Sequence, residues 1–189
     1  MKKVLILLIA ILAVGFGVYK AAAMIQPKEA AIMTDRKILI AYYSHSGNTE
    51  AVAKKIQSAT GGDLFEIKPL KPYPGDYNTL VSLAQTEKQQ DVKPELADNG
   101  NVKDYDIIFV GTPVWWYTMA SPVKTFLTKN DFSGKTIVPF CTHGGGGASA
   151  TYTDMQKLAP KAKVTEGYTS YEKSADAKEI TKWINSLNL

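Results

Sequence analysis

Residues 37–43 read Lys-Ile-Leu-Ile-Ala-Tyr-Tyr, a nearly unbroken apolar run. A strand with one wet face would alternate polar and apolar residues, so an unbroken run marks a strand covered on both sides. The rest of the chain repeats the theme. Asn48 to Thr60 has Val52 and Ile56 at helical spacing and stops at Gly61-Gly62. Leu64 to Ile67 is a short second strand, and the proline-rich stretch Pro69 to Asp76 is a loop. Tyr77 to Gln89 is a helix with Leu80, Leu83 and Ala84 as its stripe. Tyr105 to Val110 is a third strand ending at Gly111, and Ser121 starts a short helix with Pro122 in its first turn. Thr136 to Phe140 is a fourth strand, Ala148 to Leu158 a helix, and Lys163 to Tyr168 a fifth strand. Ala175 to Leu187 closes the chain as a helix with Ile180, Trp183, Ile184 and Leu187 on one face. Five strands alternating with helices call for a doubly wound α/β fold, a parallel sheet with right-handed crossovers. Ligands in such folds bind beyond the carboxyl ends of the strands.

Ahead of this domain stands a different kind of sequence. Met1-Lys2-Lys3 precedes Val4 to Tyr19, all apolar or glycine, then Lys20 and Ala21-Ala22-Ala23. Residues 1–23 read as a signal peptide cut after an A-x-A site or as a retained membrane anchor. Residues 24–36, with Pro27 and mixed charges, read as a linker, and residues 37–189 as the folded domain. Lysines on both sides of the apolar run leave its orientation open, while its N-terminal position favours export. The expected location is outside the cytoplasm, anchored or secreted. Three of the 22 basic residues and none of the 18 acidic ones precede Met24, so the domain itself is close to neutral. A nucleic-acid role needs a basic patch, which this balance does not supply. Cys141 is the only cysteine, which excludes an internal disulfide and reads as a small buried hydrophobe. No spacing of Cys, His and Asp resembles a metal site.

Three loops follow strands one, three and four, and all emerge at the carboxyl edge. Ser44-His45-Ser46-Gly47-Asn48-Thr49 joins a strand to a helix. A helix N-terminus offers unpaired amides and a positive dipole end, the hydroxyls add donors, and Gly47 permits close approach. This composition suits a phosphate without a fixed cation; the alternative is simple helix capping by Ser or Asn. The loop is neither a Walker loop nor the dinucleotide fingerprint. Gly111-Thr112-Pro113-Val114-Trp115-Trp116-Tyr117 places three adjacent aromatics beyond a strand, as a clamp for a flat ring or as loop anchors in the core. Thr142-His143-Gly144-Gly145-Gly146-Gly147 exposes backbone amides to a ligand edge or forms a flexible turn. Together the three loops describe a flat heterocycle carrying one phosphate.

"YYSHSGNT" after the first strand resembles the phosphate loop of flavodoxins, and "GTPVWWYTMASPVKTFL" and "THGGGGAS" look like the flavin-flanking segments of one flavodoxin-like branch. The resemblance covers Lys37 to Leu189. It implies a five-stranded parallel sheet of order 2-1-3-4-5 and a non-covalent FMN cofactor. It also implies that Ser44, His45, Ser46, Gly47, Asn48 and Thr49 hold the phosphate. Pro113, Trp115, Trp116 and Tyr117 would border the isoalloxazine, and Thr142, His143, Gly144 and Gly145 its pyrimidine edge. Two departures accompany it. The near-neutral domain lacks the strongly acidic surface of well-studied flavodoxins. Thr118 to Ser121 contain no glycine where many members place one beside the flavin N5.

Three functions follow from this reading. The first is an electron carrier serving redox partner proteins or a small acceptor. The second is an FMN-dependent NAD(P)H:quinone-type oxidoreductase, which needs an additional pocket over the flavin. The third is a membrane-tethered binding module without flavin. No second nucleotide motif is present for the oxidoreductase.

Overall fold

In the computed structural model, residues 36–172 and 174–189 are described. The apolar segment at 1–23 and all of the 24–36 linker but Arg36 lie outside them. Strand β1, Ile38–Tyr42, is buried at every position, as its unbroken apolar run requires. Helix α1, Asn48–Thr60, follows the first loop, and β2 is Asp63–Glu66. Helix α2 spans Tyr77–Gln89, and β3 runs from Ile107 to Trp115. A two-residue β4, Thr118–Met119, precedes α3, Ser121–Lys129. Then come β5, Thr136–His143; α4, Thr151–Leu158; β6, Lys163–Val164; β7, Tyr168–Tyr171; and α5, Ala177–Ser186.

The parallel sheet has the order β2-β1-β3-β5, and a fifth place is shared by β6 and β7. This is the expected 2-1-3-4-5 order, with two local differences. The fifth strand is divided, and its first stretch is only Lys163–Val164. Gly167 lies between the halves, where a Cβ would sit 2.5 Å from the Tyr152 ring. The Tyr152 hydroxyl, from α4, donates to the Tyr168 carbonyl at 2.5 Å. The second difference is that β3 does not end at Gly111. It continues beside β5 as far as Pro113 and then folds into an antiparallel hairpin with β4. Pro113 is tolerated because β1 has already ended at that level, so its missing amide breaks no ladder there.

Successive residues of the strands face opposite layers. Leu39, Ala41 and Tyr43 join a core with Val123, Phe126 and Leu127 of α3 and Met155 of α4. On the other face Phe109 meets Trp183 of α5 edge-on at 5.9 Å. There Lys55 of α1 donates to the Ala175 carbonyl, just ahead of α5. Helices therefore cover both faces, and the three loops that end β1, the β3–β4 hairpin and β5 share one edge.

The helix starts show how local chemistry sets boundaries. No side chain caps α1; Gly47, at φ 83°, occupies the cap position, so capping by Ser or Asn does not occur. Gly61, at φ 71°, closes the same helix by donating to Gln57. Helix α4 begins at Thr151 rather than Ala148, because Ser149 is left-handed at φ 48°. Ser121 lies inside α3, with Ala120 at its cap. Asp76 and Asp176 cap α2 and α5 with their carboxylates, which delays α5 to Ala177. Among the described residues no helix is long and apolar enough to cross a membrane.

Candidate functional site

The first loop leaves β1 at Tyr43, whose amide donates to the Gly111 carbonyl at 3.0 Å. From Ser44 to Thr49 no backbone amide donates to a described residue; the next bond is Ala51 to the Gly47 carbonyl. The Ser44 hydroxyl is buried and has no partner among the described residues. His45 and Ser46 are exposed, and Gly47 and Asn48 are half-buried. No lysine or arginine occurs from Tyr42 to Ala53. The loop is thus a set of donors ending on a helix dipole, with one hydroxyl already desolvated and without a partner among the described residues. A phosphate supplies the acceptors such a set lacks.

Thr49 differs from its neighbours. It is buried, and its hydroxyl lies 2.8 Å from that of Thr142 at the end of β5. This bond ties the first turn of α1 to the third loop.

The second loop is the β3–β4 hairpin. Trp115 pairs with Thr118, so Trp116 and Tyr117 are its two turn residues. Both are left-handed, at φ 49° and 69°. That is the primed turn that matches strand twist, here made by two residues carrying a Cβ, a conformation that stores strain. Three contacts hold it. The Trp116 indole N–H donates to the Val81 carbonyl of α2 at 2.9 Å. The Tyr117 carbonyl accepts from Ala150 at 3.0 Å. The Thr118 hydroxyl donates to Asp154 of α4 at 2.8 Å.

The aromatics therefore part company. Trp115 is half-buried and meets Tyr43 at 5.5 Å, Tyr73 at 5.1 Å and His45 at 6.1 Å, each near edge-to-face. Trp116 turns back onto α2. Tyr117 is 66% exposed, with the Lys88 ammonium 5.8 Å from its ring centre. Pro113 stays in the sheet beside Thr142. Behind Trp115 the Tyr73 hydroxyl donates to the Glu87 carboxylate at 2.6 Å. Burial, reinforced by Glu87, pushes the Tyr73 and Tyr43 hydroxyls well above the usual tyrosine range. Burial, with Glu66 and Glu50, pushes Tyr42 up to about 12.

In the third loop His143 accepts the Gly145 amide on Nδ1 at 2.9 Å, which leaves Nε2 to carry the proton of the neutral ring. Its ring also stands 5.8 Å from Tyr171. Gly144, Gly145 and Gly146 are exposed, and Gly145 and Gly147 have φ of 133° and 63°. Cys141 lies beneath, fully buried; burial raises its thiol above the ordinary value, as befits an unreactive hydrophobe.

The structure thus brings all three loops to one edge and stitches them together. Sequence reasoning did not single out Tyr43, Tyr73, Val81 or Ala150, which support the hairpin and its tryptophans. Only Tyr43, at the end of an apolar strand, carried a signal; the other three meet the site through packing between elements distant in sequence.

Comparison with known proteins agrees with this geometry. Residues 37–187 match the flavodoxin family. A crystal structure of a flavoprotein from Lactobacillus acidophilus NCFM in complex with FMN is 30% identical, with a TM-score of 0.65, covering 79% of this chain and 99% of that one. A Bacteroides eggerthii DSM 20697 protein provisionally named a flavoprotein is 32% identical, with a TM-score of 0.75, covering 82% and 99%. An NAD(P)H dehydrogenase (quinone) from Chromohalobacter salexigens is 29% identical over 143 residues. That match takes in 71% of this chain, but only 65% of the length of that relative. With the loop set and sheet order in place, the chain belongs to the flavodoxin family, the FMN flavoproteins.

Proposed function

We propose that residues 37–189 bind FMN without a covalent link and serve as an electron carrier. The observation that carries this reading is the run of unpartnered amides from Ser44 to Thr49 at the start of α1. FMN, when bound, supplies reversible electron transfer. The protein's part is to hold it and shield it. The loop amides and the hydroxyls of Ser44 and Ser46 bind the phosphate, and Trp115, Tyr117 and the His143 loop border the ring system. Held by dipole and hydroxyls, the phosphate needs no lysine or arginine in the loop itself, and none occurs from Ser44 to Thr49. Purified protein should be yellow and release FMN on denaturation; a colourless protein that takes up no FMN would sink the reading.

A second reading, reduction of a quinone by NAD(P)H, is supported by the likeness to the Chromohalobacter NAD(P)H dehydrogenase (quinone). The two separate on mixing the FMN-loaded protein with NADH or NADPH. A carrier stays oxidised until a protein reductase is added, whereas the oxidoreductase bleaches directly.

Trp115 touches the phosphate loop through His45, while Trp116 is tethered to Val81. Trp115→Ala should therefore cost about 1–2 kcal/mol of FMN affinity and raise flavin fluorescence, by analogy with base–aromatic stacking. Trp116→Ala should do less to both. The reverse order in a fluorescence titration would move the stacking face to Trp116.

The apolar segment supports a proposal on location: residues 1–23 carry the domain to the membrane and place it outside the cytoplasm. Protease added to intact cells should then digest the full-length protein while a cytoplasmic control survives. Survival of both would put the domain inside.

A further inference from the structure

We infer that Thr142 acts on the phosphate end of the bound cofactor, through Thr49, and not on the isoalloxazine edge. This inference rests on the FMN reading above and refines which part of the ligand the third loop serves.

Thr142 is followed at once by His143 and four glycines, and by sequence it belongs to that loop. The structure turns its side chain elsewhere. Thr142 is only 4% exposed, and it is paired in register with Pro113 of β3 and Ser170 of β7. Its hydroxyl lies 2.8 Å from the hydroxyl of Thr49, which is 1% exposed and is the second residue of α1. The bond spans 93 residues of sequence.

Two hydroxyls in one bond share a single proton between them, so the other proton remains available. If Thr142 donates, the proton of Thr49 is free to point out of the first turn of α1. Thr49 stands there at the end of the run of unpartnered amides that begins at Ser44. Thr49 then presents a donor to a phosphate oxygen, and Thr142 fixes its rotamer. Buried beside a helix N-terminus, a hydroxyl with a settled orientation is worth more than one that rotates, because the cost of ordering it has already been met. Thr142 is thus a positioning residue: it need not touch the ligand, and its effect should be confined to ligands that carry a phosphate.

The test is a pair of titrations on the apoprotein, with FMN and with riboflavin. Thr142→Val replaces the hydroxyl by a methyl of similar shape. It should weaken FMN by about tenfold, the scale of a hydrogen bond to a charged group, and change riboflavin by less than twofold. Thr49→Val should give the same pattern. The double variant should lose little more than either single one, since both remove the same interaction. Thr142→Ser keeps the hydroxyl and should restore most of the FMN affinity. Circular dichroism and melting of each apoprotein separate loss of binding from loss of fold. Equal losses of FMN and riboflavin in a folded Thr142→Val protein would overturn the inference and assign Thr142 to the flavin ring. Additive losses in the double variant would overturn it as well. Failure of the unaltered protein to bind FMN would instead remove the functional reading on which the inference rests.

Discussion

Ser46→Asp is expected to reduce FMN affinity by at least a hundredfold while leaving riboflavin binding nearly unchanged. Ser46 is exposed at the tip of the loop before α1, so the substitution does not disturb the core. The new carboxylate would accept the loop amides itself, as an acid near a helix N-terminus does. It would also repel the incoming phosphate. Two unit charges 4 Å apart near a protein surface interact by roughly 4 kcal/mol, and the phosphate of FMN brings more than one charge. Ser46→Ala, which removes one donor and adds no charge, should cost far less. Titrations of the apoprotein with both ligands measure this directly. Parallel losses for FMN and riboflavin would show that the loop does not bind phosphate.

A second large effect is expected at Gly111, and it bears on the fold. Gly111 sits in the middle of β3, between Tyr42 of β1 and Phe140 of β5. A Cβ placed there would stand 2.1 Å from the Phe140 ring, and Phe140 is fully buried. Gly111→Ala therefore forces the ring or the sheet to move. Overpacking of this kind costs about 1–3 kcal/mol and occasionally more, and the severity of the overlap places the variant at the upper end. Thermal melting of the apoprotein should shift downward by about 5–10 °C, given some 2–4 °C per kcal/mol in a domain of this size. Phe140→Leu should partly rescue Gly111→Ala, because the two changes relieve the same clash and are not additive. An unshifted melting curve for Gly111→Ala would show that Phe140 has room to swing aside. The carbonyl of Gly111 also accepts the Tyr43 amide, so the damage should reach the first loop and lower FMN affinity in the fraction that folds.

These two variants bracket the molecule. One is expected to alter ligand binding with little effect on the fold, the other to alter the fold and binding together. The difference lies in what surrounds each residue, solvent around Ser46 and a packed ring against Gly111.

How much of this the chain announces on its own depends on the range of the interaction. Periodicity and punctuation are local, and they placed β1, α1 and α2 almost to the residue. A run such as Ile-Leu-Ile-Ala-Tyr tolerates only a doubly covered strand, and Gly61 ends a helix because left-handed backbone is cheap there. The strand–loop–helix at Ser44 to Thr49 was legible for the same reason, since amides, dipole and hydroxyls all arise within one short segment. Other features depended on partners far along the chain. Whether β3 ends at Gly111 or runs on to Trp115 is decided by β5 and β4, which offer ladders beyond that point. Whether Trp116 lies over a ligand or against α2 is decided by the Val81 carbonyl. The division of the fifth strand follows from the Tyr152 ring against Gly167, and the direction of the Thr142 hydroxyl follows from Thr49. Sequence by itself determined the class of fold, the edge at which the three loops gather and the loop proposed to meet a phosphate. Tertiary structure alone decided which side chains of the other two loops are free to face a ligand, because a hydroxyl or indole is committed only when packing brings its hydrogen-bond partner within reach.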